Sequence, residues 1–129
     1  MNIPRPINKK NKEIFEILIS KMKDNYLKLD NSDGIFMPVV LEKIGNKFYS
    51  LAHYYEQNGD LMADPEVVFY QDSNNEYYPC SFRTDGLGLD REYIVFENGK
   101  PSKIYKNGQL DNSYFCDDWL NNIKHQQEL

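Results

Sequence analysis

Lys47-Phe48-Tyr49-Ser50-Leu51-Ala52-His53-Tyr54-Tyr55-Glu56-Gln57-Asn58-Gly59-Asp60-Leu61-Met62-Ala63-Asp64-Pro65-Glu66-Val67-Val68-Phe69-Tyr70-Gln71 holds two apolar and aromatic runs separated by Asn58-Gly59. A two-residue hairpin turn needs positive φ at both central residues, and Asn and Gly tolerate it best. The stretch therefore predicts an antiparallel hairpin with one strand over 47–56 and the next over 61–71. Pro65 lacks an amide donor, so the second strand either lies at a sheet edge or carries a bulge at that residue.

Working outward, the same punctuation recurs. Residues 36–44 lead into Gly45-Asn46, a second hairpin signal. Asp72-Ser73-Asn74-Asn75 separates 61–71 from a strand over 76–83, Asp85-Gly86-Leu87-Gly88 precedes one over 90–97, and Asn98-Gly99 joins that to 100–105. Strands that follow one another through short turns pair with their sequence neighbours, so the pattern predicts an antiparallel meander of about six strands.

The flanks change period. Ile14, Phe15, Leu18, Ile19, Met22, Tyr26 and Leu27 recur at three- and four-residue spacing, which predicts a helix over 11–29, ended by the turn formers Asp30-Asn31-Ser32-Asp33-Gly34. Phe115, Trp119 and Ile123, widened by Cys116 and Leu120, form the stripe of a C-terminal helix, with Asp111 to Ser113 as N-cap candidates. The order helix, meander, helix is an α+β fold in which the C-terminal helix packs on the sheet. Pro4 and Pro6 make 1–9 an extended or disordered arm, and 10–129 a single α+β domain.

A chain of 129 residues that is 40% hydrophobic and 14% aromatic suits one core. No apolar run reaches the roughly 18 residues of a membrane span, and Met1-Asn2-Ile3-Pro4-Arg5-Pro6 lacks the apolar stretch of a signal peptide. The expectation is a cytoplasmic protein without a membrane partner. A net charge of −5 argues against direct nucleic-acid binding driven by phosphate neutralisation. The charge is also uneven: residues 1–50 carry 9 basic and 6 acidic side chains, whereas residues 51–129 carry 6 and 14. Between Glu56 and Glu97 stand 10 acids against only Arg83 and Arg91. Cys80 and Cys116 have no CxxC spacing and no nearby histidine pattern, so neither a zinc site nor a redox motif is indicated, and Cys116, beside Phe115 and near Trp119, reads as a buried, inert thiol.

The densest polar cluster runs from His53 to Glu66. On regular strands Asp64 and Glu66 share one face, alongside His53 and Glu56 of the neighbouring strand. One imidazole with three carboxylates suits Mg²⁺ or Mn²⁺, so His53, Glu56, Asp64 and Glu66 are the candidate ligands of a metal-dependent hydrolase or nuclease. The competing reading is architectural: Asn58 and Asp60 are turn formers, Asp64-Pro65 a turn or bulge pair, and His53 a hydrogen-bonded sheet residue. No Gly-x-Ser-x-Gly or His-Glu-x-x-His context gives His53 a catalytic setting. Gly86 and Gly88 lack the Lys-Ser/Thr of a phosphate loop and read as turn glycines. Tyr49, Tyr54, Tyr55, Tyr70, Tyr77 and Tyr78 have the composition of a stacking surface, but acidic neighbours suit a protein partner better than a nucleic acid.

Leu51 to Glu66, Tyr78-Pro79-Cys80, Arg83-Thr84-Asp85-Gly86-Leu87-Gly88 and the Trp119-Leu120-Asn121-Asn122-Ile123-Lys124 helix together resemble a family of small proteins and domains carried by conjugative elements, plasmids and phages of low-GC Gram-positive bacteria. The resemblance covers roughly residues 35–127 and brings no catalytic residues with it. It implies an accessory gene of a mobile element, a setting that the excess of 12 Lys over 3 Arg, with 14 Asn, also fits.

The leading expectation is a non-catalytic binding protein that needs no cofactor. Its acidic, tyrosine-bearing sheet, with His53, Tyr54, Tyr55, Glu56, Asp60, Asp64 and Glu66, meets a basic protein surface such as that of a host-defence nuclease, for example a CRISPR nuclease. The metal-dependent hydrolase is the alternative, and a small-molecule or nucleotide sponge a further one.

Overall fold

A computed structural model describes residues 3–30 and 33–129. Asn8 opens helix α1 (Lys9–Ser20), its side chain accepting from the Asn11 amide, and the helix buries Ile14, Phe15 and Leu18. It ends nine residues earlier than its spacing predicts. Asp24 and Asn25 take φ of 54° and 63°, a left-handed pair that reverses the chain between Lys23 and Tyr26. Tyr26–Leu29 then forms a strand, β1, instead of a last helical turn. Asn31 and Ser32 of the expected turn lie outside the described residues, as do Met1 and Asn2 of the arm.

The meander follows: β2 (Val39–Gly45), β3 (Phe48–Gln57), β4 (Asp60–Gln71), β5 (Tyr77–Pro79), β6 (Ser81–Thr84) and β7 (Leu89–Glu92). With β1 they make a seven-stranded antiparallel sheet of order β1-β2-β3-β4-β6-β7, with β5 also on β4. β8 (Ile94–Glu97) and β9 (Lys100–Ile104) pair in a separate hairpin, so the expected strand over 90–97 is two strands, and that over 76–83 is β5 and β6, divided at Cys80. Asn58-Gly59 and Asn98-Gly99 are two-residue turns with positive φ at both positions. At the β2–β3 hairpin the loop is Asn46-Lys47, one residue beyond the expected pair, because Gly45 itself pairs with Phe48.

Pro65 sits at a bulge. Ala52 pairs with Glu66 but Tyr54 pairs with Ala63, so Asp64 and Pro65 together oppose His53. β4 is thus a central strand in spite of its proline.

Helix α2 (Lys106–Gln126) starts at Tyr105, well before the expected cap, so Asp111 to Ser113 are helix residues. Both helices cover one face of the sheet. Phe15 lies at the centre of that core, its ring 4.7 Å from those of Phe69 and Tyr77 and 5.8 Å from Tyr49. Leu41, Leu51, Val67, Cys116, Leu120 and Ile123 complete it. Burial of such side chains, at roughly 1.5–3 kcal/mol each, is what holds the helices on the sheet.

The N-terminal arm is fastened to α2 by buried polar groups. Gln109 accepts from the Arg5 amide and donates to the Arg5 and Pro79 carbonyls. Asp117 pairs with the Arg5 guanidinium at 2.8 Å and accepts from the Asn8 amide and the Asn11 side chain. Ser113 accepts from Arg5 and donates to the Pro6 carbonyl. Ile7 is 1% exposed, and its amide bonds to the Tyr77 carbonyl.

Candidate functional site

The sheet face turned away from the helices is followed strand by strand through the register. Lys28 lies beside Val40, Val40 beside Ala52, Ala52 beside Glu66, Glu66 beside Arg83 and Arg83 beside Asp90. In antiparallel pairs opposed residues share a face, so these six line the outer side, with Tyr26, Glu42 and Ser50 in the next row. The β8–β9 hairpin covers one end of this face: the Phe96 ring packs edge-on to Phe48 at 4.9 Å and lies 5.1 Å from Tyr70. The other end is open. There Tyr26, Tyr54, Tyr55 and Leu61 enclose a groove of about 260 Å³, with the Glu42 and Glu56 carboxylates and Lys28 at its sides. Leu61 is 63% exposed and Tyr26 45%.

A polar network lies beside the groove on the same face. Glu66 accepts from the Ser50 hydroxyl at 2.7 Å and pairs with Arg83 at 3.1 Å; Arg83 also pairs with Asp85, which accepts the Ala63 amide. Burial, and next the Glu66 carboxylate, raise the Tyr54 hydroxyl's pKa, so it stays a neutral donor and acceptor at physiological pH.

The expected metal ligands are separated. His53 faces the helices, 6% exposed, and its Nδ1 accepts the Trp119 indole N–H at 3.2 Å. Burial lowers its pKa, with a smaller opposing effect from Asp64. Glu66 is on the outer face in its ion pair with Arg83, and Glu56 is exposed near the hairpin tip. Asp64 borders a different cavity, of about 310 Å³, with Tyr55, Thr84, Gly86 and Leu87. Among the described residues no group of three His, Cys, Asp or Glu is placed to hold a metal ion. The bulge causes the separation: one extra residue puts Asp64 and Glu66 out of the shared phase that a regular strand would give them.

The tyrosines divide as well. Tyr49 and Tyr77 are core residues, and Tyr70 and Tyr78 belong to the aromatic cluster under β8–β9. Tyr54 and Tyr55 border the groove, joined by Tyr26, which the helical reading of 11–29 concealed. The alternation Tyr26-Leu27-Lys28-Leu29 after Asp24-Asn25 was the signal that could have shown it. Cys80 and Cys116 are free and buried; burial pushes the Cys80 thiol up to about 12 and that of Cys116 well above its ordinary value.

Both cavities lie at or below the lower end of the range for small-molecule sites, roughly 300–1,000 Å³, and are scaled to single side chains of a partner more than to a nucleotide. No helix among the described residues is long and apolar enough to cross a membrane. A family model described as a domain of unknown function, DUF6908, matches residues 9–129, and the chain belongs to that family. No curated protein and no solved structure matches it.

Proposed function

We propose that this protein is a non-catalytic binding module that takes a basic segment of a protein partner on the open end of its outer sheet face. The observation that carries the reading is the groove itself, where three tyrosines and Leu61 stand with two carboxylates, Glu42 and Glu56, against one cation, Lys28. Aromatic side chains give contact area at little entropic cost, and carboxylates around them select a cationic partner. The free charge is also placed for it. Of the ten acids from Glu56 to Glu97, Glu66 and Asp85 are engaged with Arg83, Glu76 with Lys12, and Asp72 with its own turn and the Tyr78 hydroxyl. Among those without such partners, Glu56 stands in the groove, and Asp90 and Glu92 lie on the outer side of β7 by register. The resemblance to proteins of mobile elements makes a host-defence nuclease one setting in which such a basic surface would be met.

The test is binding of fluorescein-labelled deca-arginine followed by anisotropy. Binding is expected at about 50 mM salt and should weaken at least tenfold by about 300 mM, since surface charges are screened over roughly 10 Å at 0.1 M. Glu42→Lys with Glu56→Lys should abolish it, whereas the same charge change at Glu97 and Glu128 should not. Equal loss with either pair means attraction to net charge alone and overturns the reading.

A further inference from the structure

We propose that the cleft along β9, at the end of the sheet opposite the groove, binds a nucleoside polyphosphate. The inference goes beyond the groove reading and does not depend on it. Between β9, the β2–β3 loop, the β4–β5 turn and the N-terminal arm lies a cavity of about 830 Å³. That is within the roughly 300–1,000 Å³ of small-molecule sites, and larger than either the groove or the cavity beside Asp64.

Its charge runs against that of the chain. Lys47 of the β2–β3 loop and Lys100 and Lys103 of β9 border it, in a protein of net charge −5. Among the described residues none of the three makes an ion pair. Lys100 stands opposite Glu97 in the hairpin register without pairing to it, and Lys103 lies 4.8 Å from the centroid of the Tyr105 ring. The one carboxylate of the lining, Asp72, is already engaged: its Oδ1 accepts the Asn74 and Glu76 amides, and its Oδ2 the Tyr78 hydroxyl. Three cations from two separate elements therefore meet around one space, and a ligand with several anionic oxygens relieves their mutual repulsion. Lys47 is also held where lysine is unexpected. Its φ is 69°, in the left-handed region that glycine and asparagine tolerate best, and the Asn58-Gly59 and Asn98-Gly99 turns use those two residue types at such positions.

The remaining walls suit the other half of a nucleotide. Ile3 and Pro4 of the arm, Pro101 and Ile104 of β9, and Tyr70 make up the apolar and aromatic part of the lining. Ile3 is 83% exposed, a large apolar side chain left uncovered beside the lysines. Inorganic phosphate would satisfy the lysines and leave this surface in water. A nucleoside polyphosphate covers both, because a flat base lies against apolar and aromatic walls without needing directional partners.

The full chain is titrated with ATP, inorganic tripolyphosphate and adenosine by amide-resolved NMR at about 50 mM salt. ATP should give saturable shifts at Lys47, Ser73, Ser102 and Lys103, with a dissociation constant on the order of 100 μM. Tripolyphosphate should bind the same amides at least about fivefold more weakly, and adenosine should not saturate below about 5 mM. Lys100→Gln combined with Lys103→Gln should weaken ATP by about tenfold or more, and Lys47→Gln by about threefold or more. The same charge change at Lys21 and Lys23, beyond the other end of α1, should alter it less than about twofold. Ile3→Ser should weaken ATP about threefold and leave tripolyphosphate unchanged. All these side chains are exposed, and unchanged amide positions at Leu51 and Val67 confirm that a variant has kept its core. Decathymidylate offers the same chemistry as a strand, but the acidic remainder of the chain repels its overhanging phosphates, so it should bind at least about tenfold more weakly than ATP. Tighter binding of decathymidylate assigns the cleft to nucleic acid and overturns the proposal. Equal loss with the Lys21 and Lys23 pair, tripolyphosphate as tight as ATP, or no saturable shift along β9 overturns it as well.

Discussion

His53 makes stability depend on pH in a window that few other groups share. Its Nδ1 accepts the Trp119 N–H at 3.2 Å, so the neutral ring carries its proton on Nε2, which has no partner among the described residues. Charging the ring means adding a proton to Nδ1, which destroys the acceptor and sets two N–H groups against each other in a buried site. Burial accordingly depresses the His53 pKa below 6.5, with Asp64 opposing to a lesser extent. The unfolded chain therefore takes up a proton near pH 6.5 while the folded chain does not, and stability falls as pH falls. One group changes stability by at most about 1.4 kcal/mol per pH unit, and only between the unfolded and folded values; below both the loss is complete. His125, the other histidine, is exposed. The assay is urea unfolding in half-unit steps from about pH 8 to about pH 5, on the parent chain and on His53→Gln, with the imidazole followed by NMR. The parent should lose stability below about pH 6.5 and the variant should not. A flat parent profile, the same slope in His53→Gln, or a His53 titration above 6.5 refutes the reasoning.

Two further outcomes test how the rest of the fold is held. Gly108→Ala should stabilise by up to about 1 kcal/mol on helix propensity, but a Cβ at that position runs into Cε1 and Cδ1 of the Tyr93 ring. Those are mid-ring atoms, so the whole ring must move, and the expected result is a net loss of about 1–3 kcal/mol that turns into a gain in a Tyr93→Ala background; stabilisation in both backgrounds would contradict the contact. Asp117→Ala removes the acceptor of Arg5, the Asn8 amide and Asn11 together, with an expected cost of about 2–4 kcal/mol by denaturant unfolding. Hydrogen exchange at the Ile7 amide should then accelerate at least tenfold, and an unchanged rate would show that the arm is held by something else.

Legibility in the sequence followed the range of the interactions. Asn58-Gly59 and Asn98-Gly99 could be placed because a two-residue turn is decided by the φ its own residues tolerate, and the C-terminal stripe of Trp119, Leu120 and Ile123 because one helix face meets one core. The end of α1 was obscured because Tyr26 and Leu27 continue the helical spacing by coincidence; the left-handed Asp24-Asn25 pair, a weaker local signal, overrides it. The pinned arm had no local signal of any kind. Gln109, Ser113 and Asp117 look like caps or solvent-facing polar residues until Arg5 and Asn8, more than 100 positions away, are brought against them. Buried polar pairing over that separation is a property of the fold and has no signature in a window of sequence.

The candidate site turns on a single residue of phase. On regular strands Asp64 and Glu66 share a face, and the set His53, Glu56, Asp64 and Glu66 looks like oxygen-and-imidazole ligation of a hard cation. The bulge at Asp64 and Pro65 inserts one residue opposite His53, so Ala63 and Glu66, three apart, come to the same side of the sheet. Glu66 is delivered to Arg83 and Ser50 on the outer face, and Asp64 to the cavity bordered by Tyr55 and Thr84. One consequence is electrostatic. A cluster of four groups would have concentrated its field at one point, whereas the separated carboxylates spread theirs over different parts of the surface. The other is geometric: Tyr55 is left as the partition between a groove and a cavity, with Glu42 and Glu56 on one side and Asp64 on the other. Among the described residues these carboxylates do not converge with His53 on one point, the arrangement that ligation of a hard cation needs.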